Sequence, residues 1–405
     1  MGAPRVTPAD IAAARQLLAG VVDPTPLQRS RGLSERAGVE VFLKCENLQR
    51  AGSFKIRGAY TRMSRLDAGE RAAGVVAASA GNHAQGVALA AQLLGIPARV
   101  YMPYGAALPK LAATRAYGAS VELVGDTLDE AIAVAREYAA SSGAVFISPF
   151  DHVDIVAGQG TVGMEILEQC PEVRTIIVAT GGGGLVAGIA TAVKAVNPDV
   201  RIIGVQAEQA AAYPLSLAAG RPVPVDRMAT MADGIAVGCP GQVPFDLVVR
   251  YVDAIETVGE EAMSQALVYL LERAKLVVEP AGVAPVAWLL EEDRFVDGPV
   301  VAVLSGGNID PLLLLRIIRH GLTSGGRYLE VSVRVSDRPG TLATLLADLA
   351  AAEANVVEVA HTRTTAALRV GEVEIAVQME TKGREHREQV LRALRDKGYR
   401  LVFGT

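Results

Sequence analysis

The chain has 405 residues, 50% of them hydrophobic but only 4% aromatic, with 41 glycines and a formal net charge of −5. That length exceeds what one hydrophobic core usually fills, so two or three domains are expected, and the glycine content suits a large α/β enzyme with many turns. The mildly acidic balance excludes nucleic acid as the natural partner, and every apolar stretch is broken by charge, Gly or Pro before it spans a bilayer.

In chain order, residues 7–18 carry the period of an amphipathic helix and residues 21–26 an extended entry. No basic region followed by an apolar core opens the chain, so no signal peptide is expected in residues 1–10. Residues 41–45 read as a strand leading into Ser53-Phe54-Lys55-Ile56-Arg57-Gly58-Ala59, whose helix extends to about residue 66. Strand and helix then alternate: 75–78 and 82–94, 98–102 and 108–117, 120–124 and 127–140. Such alternation predicts βαβ units and a parallel sheet. From residue 152 come a helix to 169, a strand at 175–179, a helix from 185 to about 196 and a strand at 201–205. Periodicity fades between 213 and 246, a long connection of the kind that is often functional. A helix near 259–275, the apolar run 276–278, a helix to 291 and a strand at 300–303 follow. Beyond Thr323-Ser324-Gly325-Gly326, strands at 328–335, 356–360, 373–378 and 399–403 and helices at 339–353 and 385–397 give the order βαββαβ, one ferredoxin-like unit.

Three glycine-bearing turns each follow an apolar strand. Ser79-Ala80-Gly81-Asn82-His83-Ala84-Gln85-Gly86 opens a helix, so backbone N–H groups collect where an anion binds well. Gly181-Gly182-Gly183-Gly184 precedes the next long helix, and consecutive glycines let a backbone close round a phosphate that side chains would obstruct. Leu304-Ser305-Gly306-Gly307-Asn308 is the third. Lys55 adds an amine that becomes nucleophilic when its pKa falls, with Arg57 as a neighbouring cation and Phe54 and Ile56 as desolvating neighbours. Taken alone, Lys55 reads as a solvated lysine in a surface helix. Three such turns with that lysine point to one phosphate-bearing cofactor.

With these four motifs in this order, the chain resembles the pyridoxal-phosphate enzymes of the tryptophan-synthase-β type, fold type II. More narrowly it resembles the threonine dehydratases, or threonine ammonia-lyases, that carry one C-terminal ACT domain. The likeness runs from Pro24 to about Phe403. It implies an α/β catalytic domain over residues 1–322, two-lobed, with mostly parallel sheets and helices on both faces. A smaller lobe at about 74–151 would close over substrate, followed by a linker at 323–326 and an ACT regulatory domain over 327–405.

The resemblance also implies pyridoxal 5′-phosphate as cofactor and assigns residues to it. Lys55 matches the lysine that holds the cofactor covalently and then takes the Cα proton, and Phe54 flanks the ring. Asn82 matches a donor to the ring's 3′-oxygen, which Gly234 also approaches. Gly181, Gly182, Gly183, Gly184 and Leu185 match the phosphate cradle, and Ser305 the partner of the pyridine nitrogen. Ser79, Ala80, Gly81, Asn82 and His83, with Asp233, match the substrate-binding set, while Glu279 lies near the cofactor with no role assigned. Lys55 and Ser305 are therefore the expected catalytic residues. A neutral hydroxyl at Ser305, unlike a carboxylate, does not force a proton onto the ring nitrogen, which favours β-elimination over transamination. Threonine would yield 2-oxobutanoate and ammonia, and serine pyruvate.

Racemases of the same type carry a serine where this chain has Ala80, and alanine has no proton to exchange on the second face of Cα. Glu208 matches the first of two carboxylates that hold a divalent metal in those relatives, but Pro214 stands in place of the second, so no metal is expected. The five histidines show no HExxH or paired spacing, and Cys45, Cys170 and Cys239 suit a reducing, cytoplasmic setting rather than a disulfide framework. In the ACT segment, Asp337, Arg338, Pro339, Gly340 and Asn355 are the expected effector residues, although Pro at a helix start needs no ligand to explain it. The partners expected are an amino-acid substrate, an amino-acid effector and further copies of the chain, as a dimer or tetramer. The competing readings are a serine or hydroxyaspartate racemase/dehydratase on the same scaffold, and a catalytically inactive amino-acid sensor.

Overall fold

Four-residue runs such as Val300–Val303, apolar and without alternation, form strands covered on both faces, and all four of these residues are buried. The computed structural model describes residues 6–225, 228–291, 294–363 and 368–402. It divides into two compact units, Met1–Leu313 and Leu314–Thr405.

The first unit contains two sheets. Six strands lie in the order Leu27–Arg29, Val41–Lys44, Val300–Val303, Thr175–Ala179, Arg201–Ala207, Ala254–Val258. All neighbours are parallel except the first pair. The second sheet is wholly parallel, in the order Ser120–Leu123, Ala98–Met102, Val75–Ala78, Val145–Phe146, and its strands fall inside the segment expected to form the smaller lobe. Under the larger sheet the helices Val153–Gln169 and Gly184–Val196 cross at glycines. A Cβ on Gly188 would lie 2.5 Å from the Val156 carbonyl oxygen and 2.6 Å from the Gly160 nitrogen.

Several expectations change in the connections. The segment 213–246 is not one long loop: the helix Ala212–Ala219 begins it, with Pro214 tolerated in the first turn, and Asp233–Ile235 forms a short 3-10 turn. The strand Ala254–Val258 was not expected, because Glu256 and Thr257 interrupt its apolar pattern. The helix at 260 ends as a π turn over Leu270–Ala274, closed by Lys275 at φ 60°, and the apolar run 276–278 follows as a connection to the helix Pro280–Leu290.

The second unit is the expected βαββαβ arrangement. Its antiparallel sheet runs Asn355–Thr362, Glu372–Glu380, Tyr328–Ser336, Arg400–Val402. Alternate residues Leu329, Val331, Val333 and Val373, Ile375, Val377 share one core with Leu345, Leu349, Val390 and Leu394, so the helices Thr341–Ala351 and Arg384–Asp396 cover a single face. The helix Pro311–Ser324 takes in the first two residues of the expected linker, and Gly325-Gly326 makes the turn into the sheet. Phe403, expected at the end of the last strand, lies outside the described residues.

Gly188→Ala should destabilise the catalytic unit by about 1–3 kcal/mol, because backbone rather than a movable side chain occupies the space its Cβ needs. Denaturant unfolding measures this, and an unchanged midpoint would show that the two helices can separate freely.

Candidate active site

The lysine loop and the serine turn are strapped together by backbone. The Phe54 N–H donates to the Ser305 carbonyl at 3.2 Å, the Gly307 N–H to that of Gly52 at 2.9 Å, and Ser53 pairs with Gly306. Lys55 is the first residue of the helix Lys55–Ser64 and so emerges beside Ser305. Its Nζ donates to the Pro149 carbonyl at 3.2 Å and lies 5.1 Å from the centre of the Phe54 ring.

These residues line a cavity of about 740 Å³ between the two sheets of the first unit. All of the expected catalytic-unit residues reach it: Phe54, Lys55, the turn Ser79 to His83, the glycines Gly181 to Gly184 with Leu185, Asp233, Gly234 and Ser305. The N-terminus of the helix Asn82–Leu94 brings one turn there and that of Gly184–Val196 another. In the first of these the Gly81 N–H is already engaged by Ser79 Oγ at 3.1 Å. In the second the backbone itself must line the cavity. A Cβ on Gly182 would fall 2.4 Å from the Phe150 ring, and one on Gly183, at φ 95°, 1.8 Å from the Tyr213 oxygen.

Burial sets the electrostatics. Lys55 faces the cavity yet is enclosed by protein, which pushes its pKa down to about 8 against a weaker upward pull from Glu279. The expectation that Arg57 supplies a depressing charge fails. Arg57 turns away, with Nε and Nη2 each donating to Glu46 at 2.8 Å and Nη1 to Glu165 at 2.6 Å, so its charge is matched on the spot. Burial also pushes His83 down to about 3, so its ring is neutral; its Nε2–H donates to the Ile147 carbonyl at 2.8 Å.

Glu279 is the group the sequence left without a role. It is 2% exposed at the start of the helix Pro280–Leu290; Oε1 accepts from Asn82 Nδ2 at 2.5 Å, while Oε2 has no partner. Burial first, and then the nearby charge of Asp233, raises its pKa to about 7. Two further residues had no sequence signal strong enough to single them out. Lys110, on the ordinary-looking helix Leu108–Ala116, forms an ion pair with Asp233. Phe150 stands behind the glycine turn.

The donor set fits pyridoxal phosphate. One cavity holds an amine of lowered pKa, a side-chain-free turn at a helix N-terminus, a neutral serine and an incompletely bonded buried carboxyl. The expected effector residues lie in the other unit and are exposed. Asp337 accepts from Arg363 Nε at 3.1 Å, Asn355 donates to Glu380 at 3.0 Å, and Gly340, at φ 92°, caps the helix Thr341–Ala351.

Comparison with known proteins agrees with this geometry. The family described as pyridoxal-phosphate dependent enzyme matches residues 18–306, and the ACT domain matches residues 329–398. L-threonine ammonia-lyase of Thermotoga maritima is 46% identical over 394 residues, spanning 97% of this chain and 98% of that one. Among solved structures, the processed form of threonine deaminase isoform 2 from Solanum lycopersicum superposes with a TM-score of 0.73 at 37% identity, covering 77% of this chain and 91% of that one. Maize serine racemase gives 0.74 at 34% identity, covering 79% and 99%.

Glu279 generates a pH dependence. Its folded pKa of about 7 lies above the ordinary carboxylate value of 4.5, so the cofactor-free fold should lose about 3 kcal/mol as pH rises from 4.5 towards 7. Glu279→Gln should abolish that fall. Denaturant unfolding at pH 5 and pH 7 reads it, and an equal fall in both proteins would refute the assignment.

Proposed function

The chain belongs to the pyridoxal-phosphate dependent enzyme family, and from that premise we propose how its residues divide the deamination of L-threonine to 2-oxobutanoate and ammonia. When bound, the cofactor supplies the electron sink that makes the substrate's Cα–H acidic and lets the β-hydroxyl leave. Lys55 holds the cofactor and afterwards takes the Cα proton at its Nζ. Both tasks need a neutral amine, and a pKa of about 8 leaves a useful neutral fraction near neutral pH. This lowered lysine at the head of the cavity is the observation that carries the reading.

The turn Gly181 to Leu185, which lines the cavity at a helix N-terminus, would hold the phosphate, and Phe54 would flank the ring. Asn82 would donate to the ring oxygen of the bound cofactor, and Ser305 would offer its ring nitrogen a neutral hydroxyl. The turn from Ser79 to His83 receives the substrate carboxylate, chiefly through the first-turn amides that Ser79 Oγ does not engage. Asp233, held by Lys110, lines the same cavity and would face the substrate. Ala80 in that turn has no exchangeable proton, which favours deamination over racemisation on the same scaffold. L-Serine, giving pyruvate, is the second substrate of this reading.

The ACT unit is the regulatory part. A branched-chain amino acid bound at the loop Asp337 to Gly340 and at Asn355, between the ACT units of paired chains, would act by preferring one of two states of a homo-oligomer. A cytoplasmic setting belongs to the same proposal and is supported by Cys45 and Cys170, buried free thiols whose pKa burial pushes up to about 11. Among the described residues no helix is long and apolar enough to cross a membrane.

Lys55→Ala should lose 2-oxobutanoate formation by at least a thousandfold together with the visible absorption of the bound cofactor, while the circular dichroism of the fold stays unchanged. Full activity in that variant would end the reading. Truncation after Gly325 should leave cofactor binding intact and remove inhibition by branched-chain amino acids; inhibition that survives it would rule out control through the ACT unit.

A further inference from the structure

Asn82 can present either end of its amide to the cavity, and only one end is a donor. The choice is traceable to a backbone atom. The Ala51 carbonyl can only accept, so the side-chain atom of Asn308 lying 2.7 Å from it is Nδ2. That same Nδ2 lies 2.9 Å from Asn82, which must therefore offer Oδ1 there and turn Nδ2 the other way. On that side waits the Glu279 carboxyl, with Oε1 at 2.5 Å. Glycines make the meeting possible. A Cβ on Gly306 would lie 2.2 Å from Glu279 Oε1, and one on Gly52 2.3 Å from Asn308 Oδ1. Ala51 itself is a non-glycine residue at φ 59°, a strained conformation that the surrounding turn maintains.

We infer that Asn308 and Glu279 form a two-sided clamp that fixes the Asn82 amide with its N–H, rather than its carbonyl, on offer to the cofactor's ring oxygen. This rests on the reading that places Asn82 beside that oxygen. Both clamp residues are positioning residues: they act through Asn82. Two bonded anchors, each buried or partly buried, hold a polar group that would otherwise be free to turn over. The neutral or ionised state of Glu279 does not reverse the clamp, because Asn308 continues to hold Oδ1.

Inverting the clamp tests it. In the double variant Asn308→Asp with Glu279→Gln the formal net charge is unchanged; the bond to the Ala51 carbonyl is given up, which the melting temperature of the cofactor-free protein registers, and an acceptor now faces Asn82 where a donor stood and a donor where an acceptor stood. The amide is driven to turn over and meets the ring oxygen with its own oxygen. The measurement is the ratio of dissociation constants for pyridoxal 5′-phosphate and its 3-deoxy analogue, by equilibrium titration, with the melting temperature of each cofactor-free protein taken alongside. A general weakening of the fold lowers both affinities together and leaves the ratio alone.

The preference for the oxygen-bearing cofactor should shrink at least fivefold in the double variant and in Asn82→Ala. It should stay within twofold of wild type in Glu279→Gln, where the glutamine still turns its carbonyl to Asn82. If the double variant keeps the wild-type preference while Asn82→Ala loses it, the clamp is wrong and the role of Asn82 stands. If Asn82→Ala keeps the preference, both are wrong. Should the double variant fail to fold, Asn308→Asp alone carries the same test, since Glu279 can take up the proton that makes it a donor to the inverted amide.

Discussion

The helix Lys55–Ser64 must begin at one place for the amine to meet the cavity, and a buried guanidinium two residues further on holds it there. Arg57 is bonded to both oxygens of Glu46, to Glu165 and to Thr161. Lys44 reaches the other oxygen of Glu165 at 2.6 Å as well as the Thr25 carbonyl and Gln169. Thr25 closes the circuit on Glu46 at 2.6 Å. The cluster thus ties the entry segment, the strand Val41–Lys44 and the helices Lys55–Ser64 and Val153–Gln169 to one another. Buried ion pairs add little net stability, but losing one partner strands a charge, so such a network tolerates a single arrangement of its helices. The restriction matters here because the arrangement also sets where Lys55 Nζ lies.

Of the charged groups that line the cavity, burial treats Lys55 and Glu279 in opposite ways. Lys55 is lowered and Glu279 raised, so that near neutral pH each is close to giving up its charge. Neither shift needs a dedicated neighbour: desolvation leads both. The chemistry of the lysine follows from enclosure, which the straps between residues 52–54 and 305–307 provide.

Much of this was legible in the sequence because the relevant signals are local. Glycine turns after apolar strands announce themselves, and the four motifs converge on one cavity. Strands whose burial is complete or strictly alternating, such as Val75–Ala78 and Glu372–Glu380, were equally plain. What was not legible depends on pairs far apart in the chain. Arg57 beside Lys55 looked like a charge aimed at the amine, yet its partners Glu46 and Glu165 lie 11 and 108 positions away and cancel it. Lys110 meets Asp233 across 123 positions, and Asn308 meets Asn82 across 226. The strand Ala254–Val258 is only half buried at the edge of its sheet, so its pattern had no reason to be apolar.

Lys110 and Asp233 differ from the Arg57 cluster in how far solvent reaches them. The Arg57 and Glu46 side chains are wholly enclosed, so dissolved ions do not reach them. The Asp233 side chain is 49% exposed, and its pair joins the helix that flanks the smaller sheet to the loop on the other side of the cavity. Exposed pairs are screened by salt and enclosed ones hardly at all. Ionic strength therefore reaches the two clusters unequally: dissolved ions meet the Asp233 end of its pair, whose Lys110 end is 9% exposed, and hardly touch the network that places the lysine.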